Sequence, residues 1–171
     1  KNYGVVVTGG GHGIGKAIIE EFVREGAKVC FIDINADYGK SLVSESVFFF
    51  HGDVSLEDDL NQFICFCKEK LERIDVLVNN ACVSHQGILN QCNYQEFQKS
   101  LSIGVTAPYY LSLQCQDELK KNKGSIINIA SVTAVLGSPG QSAYSATKGA
   151  IISFTKSAAK ELALQGIRVN A

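Results

Sequence analysis

Tyr144 and Lys148 stand four residues apart in a stretch of helical periodicity, so both side chains leave one helix face. A free tyrosine has a pKa of about 10, too high for a base at neutral pH, and a neighbouring ammonium favours its phenolate. The pair is suited to passing one proton between Tyr144 and a substrate oxygen. Ser131 comes 13 residues before Tyr144, at the end of an apolar run that reads as a strand. Its hydroxyl can bond the same oxygen and steady developing charge. Tyr144 and Lys148 alone are an ordinary amphipathic face. With Ser131 at a strand's carboxyl end, where open α/β sheets place ligands, the three favour catalysis.

A second group lies at the other end of the chain. Thr8-Gly9-Gly10-Gly11-His12-Gly13-Ile14-Gly15 joins a short apolar run to a helical stretch. Glycines there let the backbone turn sharply and approach a ligand, and the helix N-terminus offers N–H groups to an anion. Gly10-x₄-Gly15-Lys16 nearly spells a nucleotide-triphosphate loop, but Ala17 stands where such a loop needs Ser or Thr for Mg²⁺. The strict GxGxxG dinucleotide pattern is also unmet. Asp33 decides between them. It ends a second strand-like run 18 residues after Gly15, near the roughly 20 at which an acidic residue takes a ribose hydroxyl. A carboxylate there accepts from the diol of NAD and repels the 2′-phosphate of NADP, so NAD is expected over NADP. The plainer role of Asp33 is a helix cap.

The elements that must position these residues alternate. Strands are expected at Val5–Val7, Lys28–Asp33, Val47–His51, Asp75–Asn79, Gly124–Ala130 and Ile167–Val169. Helices are expected over Gly13–Glu25, Ala36–Ser44, Leu56–Leu71, Tyr94–Lys121 and Ser142–Leu164, with Gly104 and Pro108 disturbing the long fourth one. Wholly apolar strands alternating with helices mean a parallel sheet covered on both faces, a three-layer α/β/α doubly wound architecture.

Composition narrows the function. The 171 residues are 46% hydrophobic and 19% charged, which excludes a disordered chain. A net charge of −1, with no basic stripe, argues against a nucleic-acid partner. No apolar run reaches membrane-span length, so no membrane partner is expected. The six cysteines lack CxxC spacing and read as reduced thiols of a cytoplasmic protein, with no metal site expected. The chain has no Met and stops within a strand-like run, so residues 1–171 are expected to be one domain truncated on its C-terminal side, lacking the substrate loop and last strands.

Thr8-Gly9-x₃-Gly13-Ile14-Gly15, Asn79-Asn80-Ala81, Ser131 and Tyr144-x₃-Lys148, in this order along the whole chain, resemble the classical short-chain dehydrogenase/reductase family. The resemblance implies a Rossmann-type fold, a nicotinamide cofactor and interconversion of an alcohol and a carbonyl. It implies that Ser131, Tyr144 and Lys148 are catalytic, with Lys148 also holding the nicotinamide ribose. The cofactor would be held by Gly9, His12, Gly13, Ile14, Gly15, Asp33, Asp53, Val54, Asn80, Ala81, Tyr144 and Lys148. Asp53-Val54 would touch the adenine, and Asn80-Ala81 would support the sheet near the ribose. Some NADP-dependent members carry a basic residue where His12 stands. A homodimer or homotetramer built through the long helices is also implied.

Two positions depart from the family. Gly104 falls where a catalytic Asn is usual; a glycine can keep a kinked helix but offers no side chain to a proton relay. This suggests a divergent subgroup, in which a water chain compensates or turnover is reduced. Cys82 follows Asn79-Asn80-Ala81 where Gly is usual, which suits small-residue packing or a redox-sensitive thiol. His51 and His85 have no ligand-like spacing; His85 and Pro139-Gly140-Gln141 are placed to line a substrate mouth. The expected function is an NAD-dependent oxidoreductase acting on a small alcohol or carbonyl. A non-catalytic NAD-binding sensor or scaffold is the rival, and a triphosphate hydrolase stands third.

Overall fold

A computed structural model describes residues 2–171. Six parallel strands form one sheet in the order β3-β2-β1-β4-β5-β6. The strands are β1 (Gly4–Thr8), β2 (Lys28–Asp33), β3 (Val47–His51), β4 (Val76–Asn79), β5 (Ser125–Asn128) and β6 (Arg168–Asn170). The helices are α1 (Gly13–Arg24), α2 (Ala36–Lys40), α3 (Glu57–Lys70), α4 (Tyr94–Leu101), α5 (Ala107–Asn122), α6 (Thr133–Leu136) and α7 (Ser142–Leu162).

Alternation along each strand splits the core in two. Val6, Cys30, Ile32, Leu77 and Ile126 join the apolar faces of α3, α5 and α7. Val5, Val7, Val29, Phe31 and Val78 face the other way and take Ile19 from α1. Both sets are buried because every central strand has a helix layer over each face. Strand order reverses between β1 and β4, so their carboxyl ends diverge and open a crevice there. At the opposite end of the sheet, buried Asp75 accepts from the Gly4 backbone N–H at 3.0 Å and from the Arg73 guanidinium at 2.6–3.0 Å. That clamp ties β4 to β1 beneath the crevice.

Two helices differ from their expected extents. α2 stops at Lys40 because Ser41 and Leu42 turn the chain, and Ser44 bridges to Val47 at the start of β3. The expected long helix is two, α4 and α5, joined by a π-turn over Ser102–Thr106 with Gly104 at its centre. Among the described residues no helix is long and apolar enough to cross a membrane.

Candidate active site

The crevice is built around Thr8. Its hydroxyl oxygen accepts from the backbone N–H groups of Asn80 and Ala81, both at 3.0 Å. The Asn80 side-chain amide donates back to the carbonyls of Thr8 (3.0 Å) and Gly9 (2.9 Å). The turn after β1 and the turn after β4 are thus one hydrogen-bonded unit. Gly15 packs directly on it: a Cβ there would lie 2.0 Å from the Gly9 carbonyl oxygen and 2.7 Å from the Asn80 amide nitrogen. Only a glycine lets α1 start this close to β1.

His12 precedes α1, yet its side chain makes no capping bond, and the first turn of α1 carries no acidic residue. The N–H groups of that turn therefore face the crevice uncapped, at the positive end of the helix dipole. The His12 ring stacks on Tyr38 instead, with centroids 5.4 Å apart.

Asp33 does not cap α2; that role belongs to Asn35, whose side chain accepts from the N–H groups of Asp37 and Tyr38. Asp33 Oδ2 accepts from Gly11 N–H and Oδ1 from Asn35 N–H, each at 2.8 Å. The carboxylate is fixed at the edge of the glycine turn with one lone pair on each oxygen still free. Asp53 is held similarly: Oδ1 accepts from Ser55 N–H and Oγ–H, while Asp59 accepts from the Asp53 N–H at 2.7 Å.

A cavity of about 520 Å³ collects Gly9, His12, Gly13, Ile14, Asp33, Asp53, Val54, Asn80 and Ala81 in one lining. Gly15 lies behind this wall, as packing. Uncapped N–H groups, a fixed carboxylate and an apolar slot beside Val54 fit a dinucleotide with its anionic pyrophosphate at α1.

Ser131, past the carboxyl end of β5, and Tyr144 and Lys148, near the start of α7, form a second group. Lys148 is only 3% exposed; its Nζ lies 5.6 Å from the centre of the Tyr144 ring and donates to the Ile129 carbonyl. Burial pushes the Lys148 pKa below its ordinary value, opposed by the nearby Cys82 thiol. Cys82 also lines the dinucleotide-sized cavity, so it marks the seam between the two parts. Ser131 Oγ accepts from the Thr133 backbone N–H (3.2 Å) and hydroxyl (3.0 Å). With its lone pairs engaged, the Ser131 hydroxyl keeps its own proton to give.

Gly104 is buried, and a Cβ added to it would lie 2.3 Å from Cγ2 of Thr147. The volume of a side chain at position 104 is occupied by that methyl group. Thr147 escaped the sequence reading, as did Thr133 and a buried chain in which Asn79 donates to Asn128 (2.8 Å) and Asn128 to Thr155 (2.9 Å). Lys99 and Ile103 of the α4 region also line the cavity. Thr147 is adjacent to Lys148 in the chain, which is the one signal that pointed to it.

A family model described as short chain dehydrogenase matches residues 4–171. Zerumbone synthase of Zingiber zerumbet is 35% identical over 173 residues, covering 96% of this chain and 65% of that protein. A solved apo SCOR enzyme from Clostridium thermocellum is 50% identical, with a TM-score of 0.92 over 99% of this chain and 70% of that one. The 3-ketoacyl-(acyl-carrier-protein) reductase of Brucella melitensis, solved in complex with NADH, is 28% identical with a TM-score of 0.95, covering 99% of this chain and 74% of that one. Curated relatives are longer: the chain spans 61–70% of the lengths of those most similar.

Proposed function

The chain belongs to the short-chain dehydrogenase family, and from that premise we propose that it is an NAD-dependent oxidoreductase interconverting an alcohol and a carbonyl. The observation that carries the reading is the nearly fully buried Lys148 ammonium beside the Tyr144 ring. A cation in so dry a place favours the phenolate of its neighbour. Tyr144 takes the proton from the alcohol during oxidation and returns it to the carbonyl oxygen during reduction. Ser131 donates its hydrogen bond to that oxygen, oriented by the two donors of Thr133. Lys148 keeps one hydrogen bond to Ile129, which holds its ammonium in position below the ring.

When bound, the nicotinamide supplies or removes the hydride. Gly9, His12, Gly13 and Ile14 would hold the pyrophosphate at α1, Asp33 the adenosine ribose, and Asp53 and Val54 the adenine. Asp33 supports NAD over NADP because its fixed carboxylate repels a 2′-phosphate. The exposed Tyr109 and Leu113 on α5 support self-association through the long helices. A second reading, a dinucleotide-binding sensor with little turnover, draws on the Thr147 methyl filling the space beside Gly104.

Thermal stabilisation by NAD and NADP, joined to an alcohol and carbonyl panel read by NADH absorbance, tests the reading. NAD should stabilise more than NADP, and Asp33→Ala should narrow that gap. Tyr144→Phe should lower turnover by about 10²–10⁴-fold and leave NAD binding intact. Equal turnover in Tyr144→Phe would remove the proton-transfer role. Binding without turnover on every substrate would favour the sensor.

A further inference from the structure

We propose that His85, Cys92 and Glu96 form a binding site for one thiophilic divalent cation of the zinc class. His85 lies in the loop after β4, and Cys92 and Glu96 flank the start of α4. One ring nitrogen, the Cys92 sulfur and one carboxylate oxygen all lie within 4.8 Å of one another. The chain spacing gives His85 no partner; the fold supplies two.

The nitrogen–oxygen separation matches that of two ligands on one ion. His85 Nδ1 is 3.4 Å from Glu96 Oε1. N–H···O bonds end near about 3.2 Å. Two ligands bound at about 2.0–2.1 Å in a tetrahedron stand roughly 3.3 Å apart. A thiolate at about 2.3 Å from the same ion would stand roughly 3.5 Å from each, so closing the site shortens each sulfur distance by about 1.3 Å at most.

The carboxylate is oriented in advance. Glu96 Oε2 accepts from the Asn93 N–H at 2.9 Å, and Asn93 Oδ1 accepts from the Glu96 N–H at 2.9 Å. This capping box leaves Oε1 towards His85. The imidazole is partly enclosed, with its side chain 24% exposed, and it turns Nδ1 towards Glu96.

Sulfur, imidazole and a single carboxylate oxygen select a zinc-like ion over magnesium or calcium, which take oxygen ligands. Three protein ligands leave the fourth position open. The ion would fasten the loop after β4 to α4. Because Gly87 N–H donates to the Gly140 carbonyl at 2.9 Å, it would also stiffen the chain leading into Tyr144. The site does not depend on the oxidoreductase reading.

The test is titration of chelator-treated protein with Co²⁺, read by thiolate charge-transfer absorption, then displacement by Zn²⁺. One Co²⁺ per chain is expected, with the band lost in Cys92→Ser and kept in Cys65→Ser. Glu96→Gln preserves the capping acceptor and should weaken binding by at least the roughly 10–100-fold that loss of even an outer partner costs. Circular dichroism and a cooperative thermal transition establish that each variant is folded. The proposal fails if no thiolate band develops, or if the band survives Cys92→Ser. It fails equally if a folded Glu96→Gln binds Co²⁺ as tightly as the parent.

Discussion

Placing an asparagine at position 104 is expected to strain the joint between α4 and α5 before it can do any chemistry. A Cβ there lies 2.3 Å from the Thr147 methyl carbon, against an ordinary carbon–carbon contact of about 3.5–4.0 Å. The methyl cannot simply swing away. Thr147 is 2% exposed, and its hydroxyl donates to the Ala143 carbonyl at 2.9 Å. Its branched Cβ also keeps few rotamers inside a helix. Relief must come from shifting α7 against the π-turn, and α7 carries Tyr144 and Lys148. Overpacking of this kind costs about 1–3 kcal/mol, or a fall in melting temperature of about 2–12 °C for a chain this size. Thr147→Ser removes the methyl and keeps the hydroxyl bond. Denaturant unfolding of the parent, Gly104→Asn, Thr147→Ser and the double variant forms a closed cycle. Because the two positions touch, a favourable coupling of about 0.5–3 kcal/mol is expected in the double variant. An unperturbed Gly104→Asn, or additivity in the cycle, would refute the reasoning. Turnover of the double variant relative to Thr147→Ser then reports what the amide adds to the proton path, free of the steric cost.

Other perturbations follow from the same geometry. Asp75→Ala leaves the Gly4 N–H and the Arg73 guanidinium without their acceptor and should cost about 2–3 kcal/mol by urea unfolding, while Asp58→Ala on the exposed start of α3 should be near neutral. Burial pushes the Cys115 thiol up from 9.0 to about 12, against a small opposing pull from Lys68. Burial also raises Cys67, helped by Cys30. Both thiols ionise first in the unfolded chain, so their contribution is complete below about pH 9 and falls as pH rises, for Cys115 towards about 12. The unfolding free energy from urea titration should fall above about pH 9 by up to about 1.4 kcal/mol per pH unit for each thiol, and a flat profile would contradict the assignment. In the native protein a thiol reagent should label exposed Cys65 and Cys82 quickly and reach Cys30, Cys67 and Cys115 only on unfolding.

Much of the fold was legible because its signals are local. The apolar runs of β1 to β6 and the helical periodicity of α1, α3 and α7 each fall within a few residues of their expected bounds. Part of the cavity lining was legible for the same reason: the glycine turn and Asp33 lie on consecutive elements, β1, α1 and β2. Contacts between distant segments were not. Nothing in the spacing of Gly104 and Thr147 says that one fills the space of the other. Thr133 holds Ser131 through a short turn that has no periodicity to read. Asp33 did not serve as the helix cap that its position allowed, because Asn35 two residues later offers the better-placed oxygen to α2.

The side-chain bonds from Asn79 to Asn128 to Thr155 cross β4, β5 and α7 like a bolt, whereas residues 80–99 contain no buried side chain at all. The two regions open on different clocks. Amide protons of β4, β5 and the Thr8-bound Asn80 and Ala81 should exchange only through global unfolding, while those further along the loop after β4 exchange through local opening. The glycine turn, Asp33 and the Tyr144 helix belong to the slow body, while Cys82, Val83 and Lys99 put one wall of the same cavity in the fast one. Such a division lets that wall drift in sequence without disturbing the residues behind it.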